Sequence, residues 1–137
     1  MNIGLGARRK TILLIDQDPH ARATLRDALE AAGFSVGEAT NNREGQRTIR
    51  RIRPDAVLAD LLIAPADAGV TLPEWLLGQG DATPCYIVST AGEALIGSVG
   101  FHELGVTGVF LKPVDAALVI QTLRTRLGAV RPEHDHA

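Results

Sequence analysis

Four short apolar runs, 12–15, 56–59, 85–88 and 109–111, each stop at a residue able to do chemistry. The first leads into Asp16, the second into Asp60, the third into Ser89 and the fourth into Lys112, which Pro113 follows. If the runs are neighbouring strands, two carboxylates, a hydroxyl and an ammonium meet at one edge of a sheet. Two close carboxylates repel each other, and a divalent cation is the usual remedy. Mg²⁺ suits this donor set because it takes hard oxygen ligands, keeps several waters and shares its shell with phosphate. Lys112 then offers a point charge to a phosphate oxygen, and Ser89 a neutral hydrogen-bond donor. Lys112 is also one of two lysines among 14 basic residues, so its placement stands out against an arginine-rich background. Each of these residues alone reads more simply as a loop side chain, and Asp18 as a helix cap. The set of four is the signal.

The elements that must position this set follow from periodicity. The apolar runs do not alternate with polar residues, which suits strands covered on both faces of a parallel sheet. A weaker fifth strand spans 34–39. Asp18 and Pro19 read as the cap and first position of a helix, with Ala21, Leu25, Ala28, Leu29 and Ala32 at helical spacing and Gly33 as its stop. Asn41 with Glu44 opens a second helix whose Ile49 and Ile52 face inward and which Pro54 ends. Thr71 with Glu74 opens a short third helix containing Trp75, Leu76 and Leu77. A fourth is expected over about 92–104, weakened by Gly97 and Gly100. A fifth begins near Asp115, with Leu118, Leu123 and Leu127 on one face. Five alternations of strand and helix with right-handed crossovers make a parallel sheet with helices on both faces. Ligands in such folds sit beyond the carboxyl ends of the strands.

Length and composition narrow the classes. The chain has 137 residues, of which 45% are apolar and 22% charged, enough for one self-sufficient domain. We divide it into an N-terminal extension (1–9), a domain (10–128) and a disordered polar tail (129–137). Cys85 is the sole cysteine, so no internal disulfide forms and a reducing compartment is expected. A net charge of −2 argues against a nucleic-acid-binding domain. No run approaches membrane-spanning length and no secretion signal is evident, so the expectation is a cytoplasmic protein without a membrane partner. Arg43, Arg47, Arg50, Arg51 and Arg53 give the second helix a basic face, expected to be solvated. Cys85 is expected to be an inert buried thiol. The apolar face of the last helix is more simply core than a dimer surface, although a homodimer stays open.

Four segments in register, ILLID at 12–16, PDAVLAD at 54–60, PCYIVS at 84–89 and FLKP at 110–113, resemble the marks of response-regulator receiver domains. The resemblance covers about 10–128. It implies the flavodoxin-like (βα)5 fold with strand order 2-1-3-4-5. It further implies that Asp60 accepts a phosphoryl group from a histidine kinase or phosphotransfer protein, and that Ser89 and Lys112 contact the acyl phosphate. Mg²⁺ would be held by Asp16, Asp60 and the backbone carbonyl of Leu62, and the bond before Pro113 would be cis. Such a domain is a phosphoacceptor rather than an enzyme, with at most slow self-dephosphorylation. A stand-alone receiver would signal by contact with a downstream protein that the sequence does not name.

Three positions depart from the family pattern. Gln17 stands where a second acidic residue normally binds the metal directly, so Mg²⁺ binding is expected to be weak unless Gln17 or Asp18 compensates. Val109 stands where an aromatic switch residue is usual, and Thr90 replaces a small residue beside the switch hydroxyl. These departures keep a second reading open, a degenerate receiver acting as a phosphorylation-independent interaction module. A third reading is a haloacid-dehalogenase-type phosphatase, with Asp16 as nucleophile and Asp18 as acid/base. It lacks the later acidic strand end that such an enzyme needs.

Overall fold

Each apolar run forms a strand, and each strand alternates its side chains between two separate cores. The structure is a computed structural model that describes residues 9–60, 71–90 and 105–128. In chain order the elements are β1 (Thr11–Ile15), α1 (Pro19–Ala31), β2 (Ser35–Ala39), α2 (Asn42–Ile52), β3 (Ala56–Asp60), α3 (Leu72–Gly78), β4 (Cys85–Ser89), β5 (Gly108–Leu111) and α4 (Ala116–Leu127). The strands form one parallel sheet in the order β2-β1-β3-β4-β5, the order that the resemblance implied. The expected helix over 92–104, the tail from 129, residues 1–8 and Leu62 lie outside the described residues.

Alternation sorts the strand side chains. Ile12, Leu14, Leu58, Tyr86, Val88 and Phe110 face α1 and α4 and pack with Leu29, Val119 and Leu123. Leu13, Ile15, Val57, Ala59, Cys85 and Ile87 face α2 and α3 and pack with Ile49, Leu72 and Leu76. A strand buried on both sides reads as a continuous apolar run for this reason. In the first core the Tyr86 and Phe110 rings lie 5.2 Å apart between centroids. Cys85 sits in the second, where burial pushes its thiol pKa up to about 12.

The helix ends show how local sequence sets the entry of each helix. Asp18 caps α1 by accepting from the amide of His20, with Pro19 at the first helical position. Asn41 accepts from the Glu44 amide at 2.8 Å, but the Glu44 carboxylate bonds the amide and hydroxyl of Thr40 instead of closing a box. Thr71 and Glu74 form a complete capping box on α3. Asp115 caps α4, and Gly128 ends it in the left-handed conformation.

One helical face differs from expectation. Leu118 is 50% exposed, whereas Val119 and Leu123 are fully buried and Ile120 and Leu127 pack beside them. Positions 119, 123 and 127 repeat every four residues and stay on one stripe. The step from 118 to 123 is five residues and leaves it.

Helix α2 lies unusually close to the sheet. A Cβ placed on Gly45 would sit 2.5 Å from Cδ1 of Ile15, and one on Gly37 would sit 2.8 Å from Cδ1 of Ile52. Gly45→Ala therefore loses more through overpacking than it gains in helix propensity, a net cost of about 1 kcal/mol. Ile15→Val removes the clashing methyl, so the double variant is more stable than the sum of the two single losses predicts, by about 0.5 kcal/mol or more. Denaturant melts of the four proteins check this, and simple additivity would refute the close approach. Cys85 gives a second check. At about pH 8 the native thiol is expected to resist alkylation and to react on unfolding, because the thiolate is scarce and enclosed.

Candidate functional site

The acidic and basic side chains that the strand ends carry meet on one face of the sheet edge. Asp60 closes β3, Asp16 follows β1 and Lys112 follows β5. All three continue the alternation that points Leu14, Leu58 and Phe110 towards α1 and α4. The ammonium of Lys112 donates to Oδ2 of Asp60 at 2.9 Å, with the Asp60 side chain only 11% exposed. Lys112 is also tied to β4 through its amide, which donates to the Ser89 carbonyl at 2.8 Å, and its bond to Pro113 is cis as expected.

Asp16, Asp18, Asp60 and Lys112 share a cavity of about 440 Å³ that continues over Leu14, Leu25, Leu58 and Val88 beneath α1. Burial raises the pKa of Asp16 above its ordinary value, and the charge of Asp60 raises it further, against the lowering effect of the Asp18 amide and of Lys112. That amide donates to Oδ1 of Asp16 at 2.8 Å, while the Asp18 carboxylate is engaged on the His20 amide. Asp18 thus serves the helix and the shape of the acidic turn together. Gln17 is exposed beside it.

Ser89 stands apart from this group. It is fully buried at the end of β4, on the alternation of Cys85 and Ile87, and its hydroxyl donates to the Thr90 carbonyl at 2.9 Å. It does not line the cavity that Asp16, Asp60 and Lys112 share. Val109 packs against the second core, and the adjacent ring of Phe110 points into the first.

Three residues not singled out from the sequence brace the acidic turn. The Arg22 guanidinium donates to the backbone carbonyl of Asp16 and pairs with Glu38 at 3.0 Å, and Arg26 pairs with the other Glu38 oxygen at 3.1 Å. The signal for Arg22 was its position four residues after Asp18, on the same side of α1. Glu38 alternates with Val36 on the face of β2 towards α1.

The donor set fits Mg²⁺. Asp16 and Asp60 present hard carboxylate oxygens in one cavity, close enough for the charge of one to shift the other. Among the described residues no group of three or more metal-ligating side chains occurs, so a cation here would rest on two carboxylates and water, an arrangement Mg²⁺ accepts.

The family model for the response regulator receiver domain matches residues 12–124. This chain belongs to that family. It is 30% identical over 122 residues to the response regulator MprA of Mycobacterium tuberculosis, an alignment covering 89% of this chain and 52% of MprA. The chain thus spans about half the length of the first curated relatives it matches. It is 22% identical to the polar-differentiation response regulator DivK of Brucella anthropi, covering 87% of this chain and 97% of DivK. The crystal structure of the signal receiver domain of a signal transduction histidine kinase from Syntrophus aciditrophicus superimposes with a TM-score of 0.74. Its sequence identity is 25%, over 90% of this chain and 93% of that one. Receiver domains are phosphoacceptor signalling modules that interact with histidine kinases or phosphotransfer proteins and generally use Mg²⁺. The family match sets the phosphatase reading aside. No helix among the described residues is long and apolar enough to cross a membrane.

The Arg22–Glu38–Arg26 network should give stability a dated acid limb. Burial opposes ionisation of Glu38, but hydrogen bonds from Arg26 and Arg22 outweigh it and lower the pKa below the ordinary 4.5. A carboxylate with a lowered folded pKa stabilises fully above 4.5 and loses that contribution as pH falls through the folded value. Glu38→Gln is expected to cost about 1 kcal/mol at neutral pH. Thermal melts across acid pH should show the gap to wild type closing below that point, and a gap that persists unchanged into acid contradicts the assignment.

Proposed function

We propose that Asp60 is the phosphoacceptor of this receiver domain, with Lys112 as the charge that receives the phosphoryl oxygens. The observation that carries the reading is the 2.9 Å contact between Lys112 and Asp60, two residues from β3 and the end of β5 with β4 between them. In the transfer step a carboxylate oxygen of Asp60 attacks the phosphorus of a phosphohistidine on a kinase or phosphotransfer protein. The new P–O bond forms as the P–N bond breaks, and the imidazole leaves with the electron pair and takes a proton from solvent. Such a reaction asks the protein mainly for positioning and charge neutralisation. Asp16 and Asp60 would hold Mg²⁺, with the Leu62 carbonyl as a further ligand, and the ion when bound neutralises charge on the phosphoryl oxygens. Arg22 fixes the backbone of the acidic turn through the Asp16 carbonyl. The Ser89 hydroxyl, directed at Thr90, would have to turn to reach a phosphoryl group.

The output in this reading is contact with another protein, from a stand-alone receiver. The reading is supported by the match to the response regulator DivK, of which the alignment covers 97%. The reading also includes a cytoplasmic location, with 10–128 as the working domain. The second reading, an interaction module that takes no phosphate, is favoured by the exposure of Gln17 and the engagement of Asp18 in the α1 cap. Both leave the metal one acidic ligand short of the family pattern.

Intact-mass analysis after incubation with acetyl phosphate and Mg²⁺ separates the two. The phosphoacceptor reading predicts the gain of one phosphoryl group, abolished in Asp60→Asn and slowed about tenfold or more in Lys112→Ala. Gln17→Asp should strengthen Mg²⁺ dependence by roughly tenfold by restoring ligand charge. No mass gain under forcing conditions in either wild type or Gln17→Asp establishes the interaction module.

A further inference from the structure

At the other end of the sheet, where Pro54 leads into β3 and Thr83 into β4, lies a second cleft of about 440 Å³ between α2 and α3. Its apolar wall is Ile49 and Trp75, and its rim carries Arg50, Arg53, Gln79 and Asp81. The Arg50 guanidinium lies over the Trp75 ring, 5.2 Å from the centroid, which holds both planar groups at the mouth. The basic row expected to be a solvated face therefore borders a shaped cleft. Arg43, Arg47, Arg50, Arg51 and Arg53 are all exposed. The one acidic side chain of α2, Glu44, is engaged on Thr40. Neither Arg50 nor Arg53 has a carboxylate within ion-pair distance among the described residues. Arg53 is also the one described non-glycine residue at positive φ (48°), at a helix end where glycine bears no steric penalty and arginine does.

We propose that this cleft is a docking site for an acidic peptide segment of a partner protein, separate from the phosphoryl site. The cationic rim calls for carboxylates, and the Ile49–Trp75 wall takes one large apolar side chain between them. A nucleic-acid backbone fits less well. Its charges repeat on every residue, whereas the cleft sets its arginines on either side of an apolar wall, and Asp81 on the rim leaves room for few anionic groups. A strand's length separates this cleft from Asp60, so the surface serves a partner whose binding does not require the phosphoryl group.

Trp75 is the only tryptophan of the chain and reports directly on the cleft. Titrating the full chain with a short peptide of alternating aspartate and leucine should give a saturable change in Trp75 emission that weakens with added salt. Arg50→Ala and Arg53→Gly should each weaken binding by about fivefold or more. Glycine relieves the left-handed backbone at 53, so Arg53→Gly should melt no lower than wild type and accept phosphate on Asp60 at the wild-type rate. Lost binding in that variant then reports the guanidinium and not the fold. Asp60→Asn should bind the peptide as wild type does, which keeps this result distinct from any failure of the phosphoacceptor reading. The proposal is overturned by absence of a saturable change, by indifference to both arginine substitutions, or by tighter binding of a single-stranded oligonucleotide. An emission change that tracks protein concentration without peptide also overturns it, in favour of self-association.

Discussion

The ion pair between Lys112 and Asp60 depends on nearly every feature of the fold. The two residues belong to strands that are not neighbours, so β4 must lie between them. The register places Asp60 beside Val88 and Val88 beside Phe110, which puts Lys112 two residues further along the chain on the same face. Two strand spacings are roughly 10 Å, and the lysine stem must lean back along the edge to close that gap. A slip of one residue in either pairing would turn one partner to the opposite core. The hydrogen bond that the Lys112 amide donates to the Ser89 carbonyl holds the register at the point where it matters.

Burial that secures this contact also strains the electrostatics around it. Asp16 is disfavoured as an anion, chiefly by loss of solvent and then by Asp60. The fold offsets that strain with fixed donors, the Asp18 amide on the side chain of Asp16 and Arg22 on its carbonyl. Arg22 is in turn anchored by Glu38, whose second oxygen holds Arg26. The acidic turn is thereby shaped before any ligand arrives, and the reacting edge rests on α1 and β2 as well as on the strands that carry the chemistry.

Much of this was legible in the residues. Apolar runs ending in Asp16, Asp60, Ser89 and Lys112 marked the strands, and the caps at Asp18, Thr71 and Asp115 marked helix starts, because both signals act over a few neighbouring residues. The separation of Ser89 from the other three was not read there, since alternation sorts side chains within one strand and only the register relates one strand to the next. What escaped depended on packing between distant segments. Leu118 was read onto one face with Leu123 and Leu127, whereas the stripe through Val119 is set by the contact of α4 with Leu29 and Phe110. The arginines of α2 are exposed as expected, but the contact of Arg50 with Trp75 went unread because the ring lies on another helix.

The departure at Gln17 then has a definite physical meaning. A metal resting on Asp16 and Asp60 alone gains less from ligand charge than one facing three carboxylates, but it keeps room for phosphoryl oxygens in its shell. The Asp18 carboxylate cannot supply the missing charge without uncapping α1, which would expose the first-turn amide of His20. In the proposed reading, loss of that charge would act on the affinity for the cation and the rate of transfer, while the placement of Asp60 against Lys112 stays intact. In that reading rate and geometry are separable at this edge because different strands set them: β1 carries the altered metal side, while β3 and β5 carry the proposed acceptor and its counter-charge.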